Sequence, residues 1–307
     1  SNGRQVSNDY LNPGWTDYRF RLSYNVYDVS ALIQQGNNAV GAVLGKGWYT
    51  GNWGYYTQWM DPYGTDISLL AKLVINYQDG SREVIVTDGT WQYTDDGPIV
   101  ENGLLDGEDY DARREIYEWD KPQYDASKWH QVKIYNPLDS KVVLQPYVGK
   151  PVRVDTVCTA IKLTEPLPHH FIYDIGQNVA GIPQIKIKGK RGQRVTLKYA
   201  EMLYPEVIPT DPVQPYTREQ YEQMRGQMYL DNYRGALSTD NYICSGKGVE
   251  IYEPRFTSHG FRYIEVTGLD EAPSLEDVKV LVLNSLQEHT ATYATSDTLV
   301  NKLYSNI

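Results

Sequence analysis

The sequence predicts an all-β chain of two β-sandwich domains, with a short helix at its end, and three observations carry that expectation. Short β-branched and aromatic runs recur along nearly the whole 307 residues. Turn signals such as QQGNN and QDG separate them. The aromatic residues are skewed toward rings with a polar tip, with 27 Tyr and 7 Trp against 4 Phe. Such rings suit the half-buried face of a sheet, and they suit wet sugar-binding clefts. Composition leaves both uses open.

The length accommodates two domains. A hydrophobic share of 41% and a charged share of 22% fit a globular chain rather than a disordered one. The net charge of −10 argues against a nucleic-acid or anionic-membrane partner, because phosphates attract surplus Lys and Arg. No apolar run approaches the ~20 residues that span a bilayer, so membrane insertion is not expected. The opening SNGRQVSNDY has neither the basic nor the apolar region of a secretory signal. Cys158 and Cys244 lack metal-ligand spacing and read as core thiols in preference to a disulfide.

Taken in order, Asn2-Gly3 is a type I′ hairpin signal with Arg4–Val6 as its outgoing strand. The incoming strand is missing, which suggests a chain cut at that end. YRFRLSYNVYDV (18–29), NAVGAVLG (38–45), LLAKLVINY (69–77) and SREVIVTD (81–88) follow as strands. TDGTWQYTDD (87–96) and DASKWHQVKIY (125–135) complete a first sandwich over residues 1–136. Residues 137–156 are Pro-spaced with little alternation and read as a linker. A second sandwich over 157–288 uses FIYDIG, IPQIKIKG, QRVTLKYAEML, NYICSG, FRYIEVTG and DVKVLVLN. A Pro- and Tyr-rich insertion at 204–235 interrupts it, with a short helix expected at 217–229. In the last segment, 289–307, Ser296 or Asp297 N-caps a helix whose Leu299, Leu303 and Ile307 share one face. Three turns have nothing to pack against, so the chain is expected to continue.

No nucleophile elbow, phosphate loop, dinucleotide fingerprint or HExxH motif is present. His169 and His170 adjoin a strand, where neighbours point to opposite faces, so they are not expected to share a metal. The acidic stretch LLDGEDYDARRE (104–115) holds Asp106, Glu108, Asp109, Asp111 and Glu115 beside Arg113 and Arg114. A glycosidase needs one protonated carboxyl, and the arginines oppose that by favouring ionisation, so ion pairing is the preferred reading. YDIGQNVAGI (173–182) suits a tight inter-strand connection, with a sugar cleft as the lesser reading. In TSHGFRYIEV (257–266), His259 and Arg262 sit at a strand-start corner, Arg262 in an ion pair whose partner a longer chain could supply. NDYLNPGWTDY (8–18) and GKGWYTGNWGYY (45–56) set Trp beside Asn or Asp. Pyranose rings stack on Trp, their hydroxyls bond amides and carboxylates, and Ca²⁺ can bridge both. Spacing alone favours core and corner packing there.

Together these stretches resemble the β-domains of bacterial α-L-rhamnosidases, which remove terminal L-rhamnose from glycans and glycosides. The likeness runs from NGRQV and LNPGWTDYRF through VLGKGWYTGNWG, DGEDYDAR and DASKW, then YDIGQNVAGI, GQRVTLKYAEML and FTSHGFRYIEVTG, to SDTLVNKLYSNI. It implies two jelly-roll-like sandwiches plus the first helix of a truncated helical-barrel domain. The family's inverting chemistry uses carboxylates of that barrel, so no catalytic residue is expected within this sequence. The resemblance to calcium-assisted rhamnose-binding modules implies carbohydrate contacts from Trp48, Asn52 and Trp53, with Trp15 and Asp9, and a Ca²⁺ ion held by Asp9 and Asn52. Expected partners are L-rhamnose-containing glycans and the chain's own catalytic domain, in a bacterial periplasmic or secreted setting. The expected role is scaffold and rhamnoside recognition without catalysis. The alternative is a purely structural scaffold that packs on the barrel.

Overall fold

Val195, Leu197 and Tyr199 alternate with Thr196 and Lys198, and that period of two sends the first set into a core where each is 0% exposed. In the computed structural model of the protein, this pattern repeats through an all-β architecture with few helices. The structure describes residues 1–52, 60–135, 141–204, 216–233, 235–285 and 291–306.

In the first half, the strands are β1 (Arg21–Tyr24), β2 (Lys72–Asn76), β3 (Arg82–Val86), β4 (Gln92–Tyr93), β5 (Ile99–Gly103), β6 (Gly107–Asp111), β7 (His130–Gln131) and β8 (Val143–Pro146). Then come β9 (Arg153–Thr159), β10 (Lys162–Leu167), β11 (His170–Lys188), β12 (Arg194–Ala200) and β13 (Met202–Leu203). The last are β14 (Met228–Tyr229), β15 (Thr239–Ile243), β16 (Val249–Tyr252), β17 (His259–Thr267) and β18 (Val278–Asn284). Among the described residues three α-helices accompany them: α1 (Gly47–Thr50), α2 (Arg218–Met224) and α3 (Thr298–Asn306).

A ten-stranded sheet runs in the order β5-β6-β15-β12-β17-β11-β18-β9, with β10 and β16 also paired to β11. The 19-residue β11 organises it by changing partners along its length. Its first residues pair with β10 and β17, and its last with β18 and β16, so the sheet curls around it. YDIGQNVAGI is therefore a bulge within one strand rather than a connection between two. The register slips between Asp174 and Val179, and Gly176 at φ 90° donates its N–H to Asp174 Oδ1 at 2.7 Å. Turn chemistry bends the chain there, but pairing with β17 resumes on both flanks, so it never reverses. The core beneath includes Tyr173, Ile185, Leu197, Tyr199, Phe261 and Ile264, all 0% exposed. Burying side chains of this size stabilises the fold by roughly 1.5–3 kcal/mol each.

The first half pairs differently. β2 and β3 form a hairpin across QDG, β4 pairs with β7, and β1 pairs in parallel with β8. The stretch expected as a linker thus carries β8, bridges Val152 to Tyr10, and leads into β9 beside β18. Extended β-branched segments that find a sheet edge pair with it, whatever their Pro content suggests. The β5–β6 hairpin, expected inside the first sandwich, joins the second sheet through parallel pairing of β6 with β15.

Asn2 and Gly3 do form the expected turn, with φ of 53° and 76° and Arg4 N–H bonded to Ser1 O at 2.9 Å. Arg4–Val6 is not a strand, because the turn's amides bond Ala39 O and Asp120 O. NAVGAVLG is not one either. Gly41 and Gly45 press against the Trp119 and Phe256 rings, where a Cβ would come within 2.4 and 2.3 Å. That backbone is used for ring packing rather than pairing. The expected helix at 217–229 is shorter: Thr217 and Gln220 form a capping box, and Gly226 at φ 74° turns the chain into β14. Asp297 caps α3 by accepting from Leu299 N–H at 2.8 Å, while Leu299 and Leu303 stay exposed and Ile307 lies outside the described residues. Both cysteines are free, and burial pushes the Cys244 thiol up to about 11. No helix among the described residues is long and apolar enough to cross a membrane.

Candidate functional site

The two Trp-bearing stretches converge. α1 lifts Trp48 and Tyr49 onto the surface, and its tight geometry needs Gly51, whose Cβ would lie 2.2 Å from Gly47 O. Trp48 stacks on Trp15 with ring centroids 5.3 Å apart and planes at 29°. Trp15 Nε1 donates to the Tyr63 hydroxyl at 3.2 Å. Tyr63 meets Tyr18 edge-on at 4.8 Å and stacks with Tyr49 at 6.1 Å. Burial pushes the Tyr18 phenol up to about 12, so it stays protonated and donates to Gly14 O at 3.0 Å. Trp15 remains 52% exposed, a flat apolar face rimmed by hydroxyls. Such a face can stack the C–H side of a pyranose while the rim meets its hydroxyls.

The other expected sugar or metal residues stand elsewhere. Trp53 lies outside the described residues. Asn52 Nδ2 approaches Asp106 Oδ1 at 3.5 Å. Asp9 has a side chain only 4% exposed, with Arg153 Nε 2.7 Å from Oδ1 and the Tyr27 hydroxyl 2.9 Å from Oδ2. Burial alone would raise its carboxyl, but the bonds from Arg153 and Tyr27 outweigh it and hold Asp9 below its usual value. The guanidinium occupies the position a cation would take, so Asp9 does not fit a calcium ligand. Among the described residues, no group of three His, Cys, Asp or Glu side chains is placed to hold a metal.

The acidic stretch divides. Asp111 is gripped bidentately by Arg113 at 2.8 and 2.7 Å, and Arg114 pairs with Asp96, as expected of structural ion pairs. Glu108 behaves otherwise, because burial outweighs the charge of the nearby Arg255. It is 1% exposed, accepts the Arg255 N–H at 3.1 Å and the Tyr252 hydroxyl at 3.3 Å, and burial pushes its carboxyl up to about 7. Beside it Asp240, 0% exposed, accepts Glu108 N–H at 2.7 Å and the Tyr199 hydroxyl. His259 stacks on Tyr199 at 4.3 Å, with Nε2 3.5 Å from Asp240 Oδ2 and Nδ1 3.2 Å from Ser238 Oγ.

Ser238, His259 and Asp240 thus form a Ser-His-Asp cluster that no sequence spacing suggested. With exposures of 4%, 4% and 0%, it is closed to any substrate and serves packing rather than nucleophilic attack. The missed signal was parity: Asp240 shares the inward face of its strand with Tyr242, and His259 shares that of Phe261.

Arg262 finds its partner within this chain, not in a further region: it grips Asp174 bidentately at 2.8 and 2.9 Å. The guanidinium, aided by Gly176 N–H, holds the Asp174 carboxyl below its usual value despite partial burial. The pair lines an open cleft of about 530 Å³ between β10, β11, β17 and the returning insertion. His170 Nδ1 lies 3.0 Å from Glu265 on the same sheet.

Comparison with known proteins gives a consistent result. Residues 1–156 match the α-L-rhamnosidase N-terminal domain, and residues 165–284 match the bacterial α-L-rhamnosidase concanavalin-like domain. An α-L-rhamnosidase of Streptomyces avermitilis is 40% identical over 307 residues, covering 100% of this chain and 28% of that protein. One from Alteromonas sp. (strain LOR) is 35% identical over 313 residues, covering 100% of this chain and 31% of its own. The crystal structure of the Streptomyces avermitilis enzyme complexed with L-rhamnose superposes with a TM-score of 0.83 at 37% identity, over 99% of this chain and 27% of that one. The Dictyoglumus thermophilum α-L-rhamnosidase structure gives 0.80 at 33% identity, over 99% and 31%. This chain therefore spans less than a third of the length of these relatives.

Proposed function

The chain belongs to the bacterial α-L-rhamnosidase family, and from that membership we propose that it is the β-domain portion of an α-L-rhamnosidase, supplying scaffold and rhamnoside recognition. The observation that carries the recognition role is the stack of the exposed Trp15 on the half-buried Trp48, with Tyr63 at its edge. L-Rhamnose is a 6-deoxy sugar, so one end of its ring is a methyl group and its C–H surface is large. An indole face buries that surface while the phenol rim serves the hydroxyls. Any calcium ion at this surface would need ligands other than Asp9, whose carboxylate is already neutralised by Arg153. In this reading the hydrolytic carboxylates lie outside these residues: of the two acids that line the open cleft, Asp174 is ion-paired with Arg262 and Glu201 is held by two asparagine amides, which favours the ionised form over a general acid. The whole protein would release terminal L-rhamnose by inverting hydrolysis outside the cytoplasm, where rhamnose-bearing polymers are met.

A scaffold with no sugar site is favoured by one feature, that Tyr18, Tyr49 and Tyr63 already give the Trp rings apolar neighbours. Calorimetry with L-rhamnose, with and without Ca²⁺, separates the two. Recognition predicts saturable heat weakened at least tenfold by Trp48→Ala, and the Ca²⁺ arm reads whether the ion takes part. Absence of saturable heat leaves the scaffold reading. Turnover of an aryl α-L-rhamnoside by this chain alone would show that catalysis is not confined elsewhere.

A further inference from the structure

We propose that the cleft between β10, β11, β17 and the returning insertion is a second, separate binding site for a neutral glycan, held through its vicinal hydroxyls. It is lined by Lys162, Asp174, Glu201, Tyr204, Arg262 and Tyr263. At about 530 Å³ it falls within the ~300–1,000 Å³ usual for small-molecule sites.

Its polar groups are fixed in advance. The β11 bulge re-aims Asp174, and Gly176 N–H and Arg262 lock the carboxylate in place. Arg262 spends two of its five donors on Asp174, and its guanidinium lies 5.2 Å over the Tyr263 ring. Glu201 is held from both sides, by Asn178 Nδ2 at 3.1 Å and Asn232 Nδ2 at 2.7 Å, with a further lone pair on each oxygen. Asn232, which holds Glu201, keeps its own Oδ1 buried with no partner among the described residues. Carboxylate acceptors and guanidinium or ammonium donors standing side by side match the alternating demands of a vicinal diol. Tyr263 supplies ring surface for its C–H face, with the buried Tyr204 also in the lining.

Charge selects the class of ligand. Lys162 and Arg262 are balanced by Asp174 and Glu201, so the lining has no net charge to attract a uronate or a phosphorylated sugar. This site goes beyond the Trp surface and does not depend on it, since every lining group belongs to the second half of the chain.

The test is made in the Trp48→Ala background, by saturation-transfer NMR and calorimetry with the methyl glycosides of L-rhamnose, D-galactose and D-glucose, and with D-glucuronate. At least one neutral glycoside should bind saturably, and Glu201→Gln and Lys162→Met should each weaken it about fivefold or more. Lys162 is exposed, so its variant folds even if Glu201→Gln does not, and circular dichroism melts check both. No saturable binding of any neutral glycoside, binding unchanged in the folded variants, or a preference for glucuronate would each overturn the proposal. Failure of the Trp surface reads separately, as equal rhamnose affinity in wild type and Trp48→Ala.

Discussion

The two halves of the molecule use β-structure to different ends. From β9 onward all the strands but the β13–β14 pair share one sheet, and among the described residues its main buried cluster takes only Ala112 from the first 150 residues, with Tyr110 packed against it. Before β9, β2 and β3 carry Val74, Val84, Ile85 and Val86 at 37% exposure or more, and short ribbons replace the sheet. The second half is held by burial. The first half is held by its attachments: Gly45 on Phe256, Asp9 on Arg153 of β9, the Tyr10 hydroxyl on Glu253, and the β5–β6 hairpin built into the second sheet. The difference teaches that a module can display aromatic surface when its stability is supplied by its neighbour.

Breaking the attachment at its centre should have the largest effect. Asp240→Ala removes the buried acceptor for Glu108 N–H and the Tyr199 hydroxyl at the seam of β6 and β15. Urea denaturation should register a loss on the order of 3–5 kcal/mol, with both halves affected together. Loss confined to one half would contradict the weld. Next in size, Gly45→Ala forces a Cβ to within 2.3 Å of the Phe256 ring. The overpacking should cost about 1–3 kcal/mol and shift tryptophan fluorescence as the 44–50 segment is displaced.

The pH dependence sharpens the same contrast. Glu108 has a folded value raised to about 7 from 4.5, so the folded state holds its proton where the unfolded chain has released it. Its contribution is fully present below the unfolded value and is lost as pH rises through about 7. Thermal melts from pH 5 to 8 should show stability falling by at most ~1.4 kcal/mol per pH unit from this group, and Glu108→Gln should flatten that slope. Smallest of all, Val84→Thr on the exposed ribbon should change stability by less than about 0.5 kcal/mol. A larger effect in denaturation would mean that β3 is covered and that the comparison is drawn too sharply.

Much of the fold was legible where local chemistry decides. The Asn2-Gly3 turn, the QDG hairpin and the cap on α3 followed from single residues with strong conformational preferences. The unpaired backbone at NAVGAVLG, expected as a strand, was not legible, because two distant rings claim its glycines. The connection at YDIGQNVAGI was misread because a bulge and a turn use the same residues, and only pairing on both flanks tells them apart. Of the candidate site, the Trp15–Trp48 pairing was foreshadowed by two similar stretches, whereas Asp9 was diverted to Arg153, 144 residues away.

By itself, then, the sequence determined the all-β class, the turns, the helix cap and the family, because each rests on short-range preference or on ordered motifs. Tertiary structure alone decided which strands share a sheet, that Glu108 and Asp240 lie sealed together, and that Arg262 closes on Asp174. The physical reason is that burial and pairing join residues about ninety to 150 positions apart in this chain, and no local pattern encodes which partner arrives.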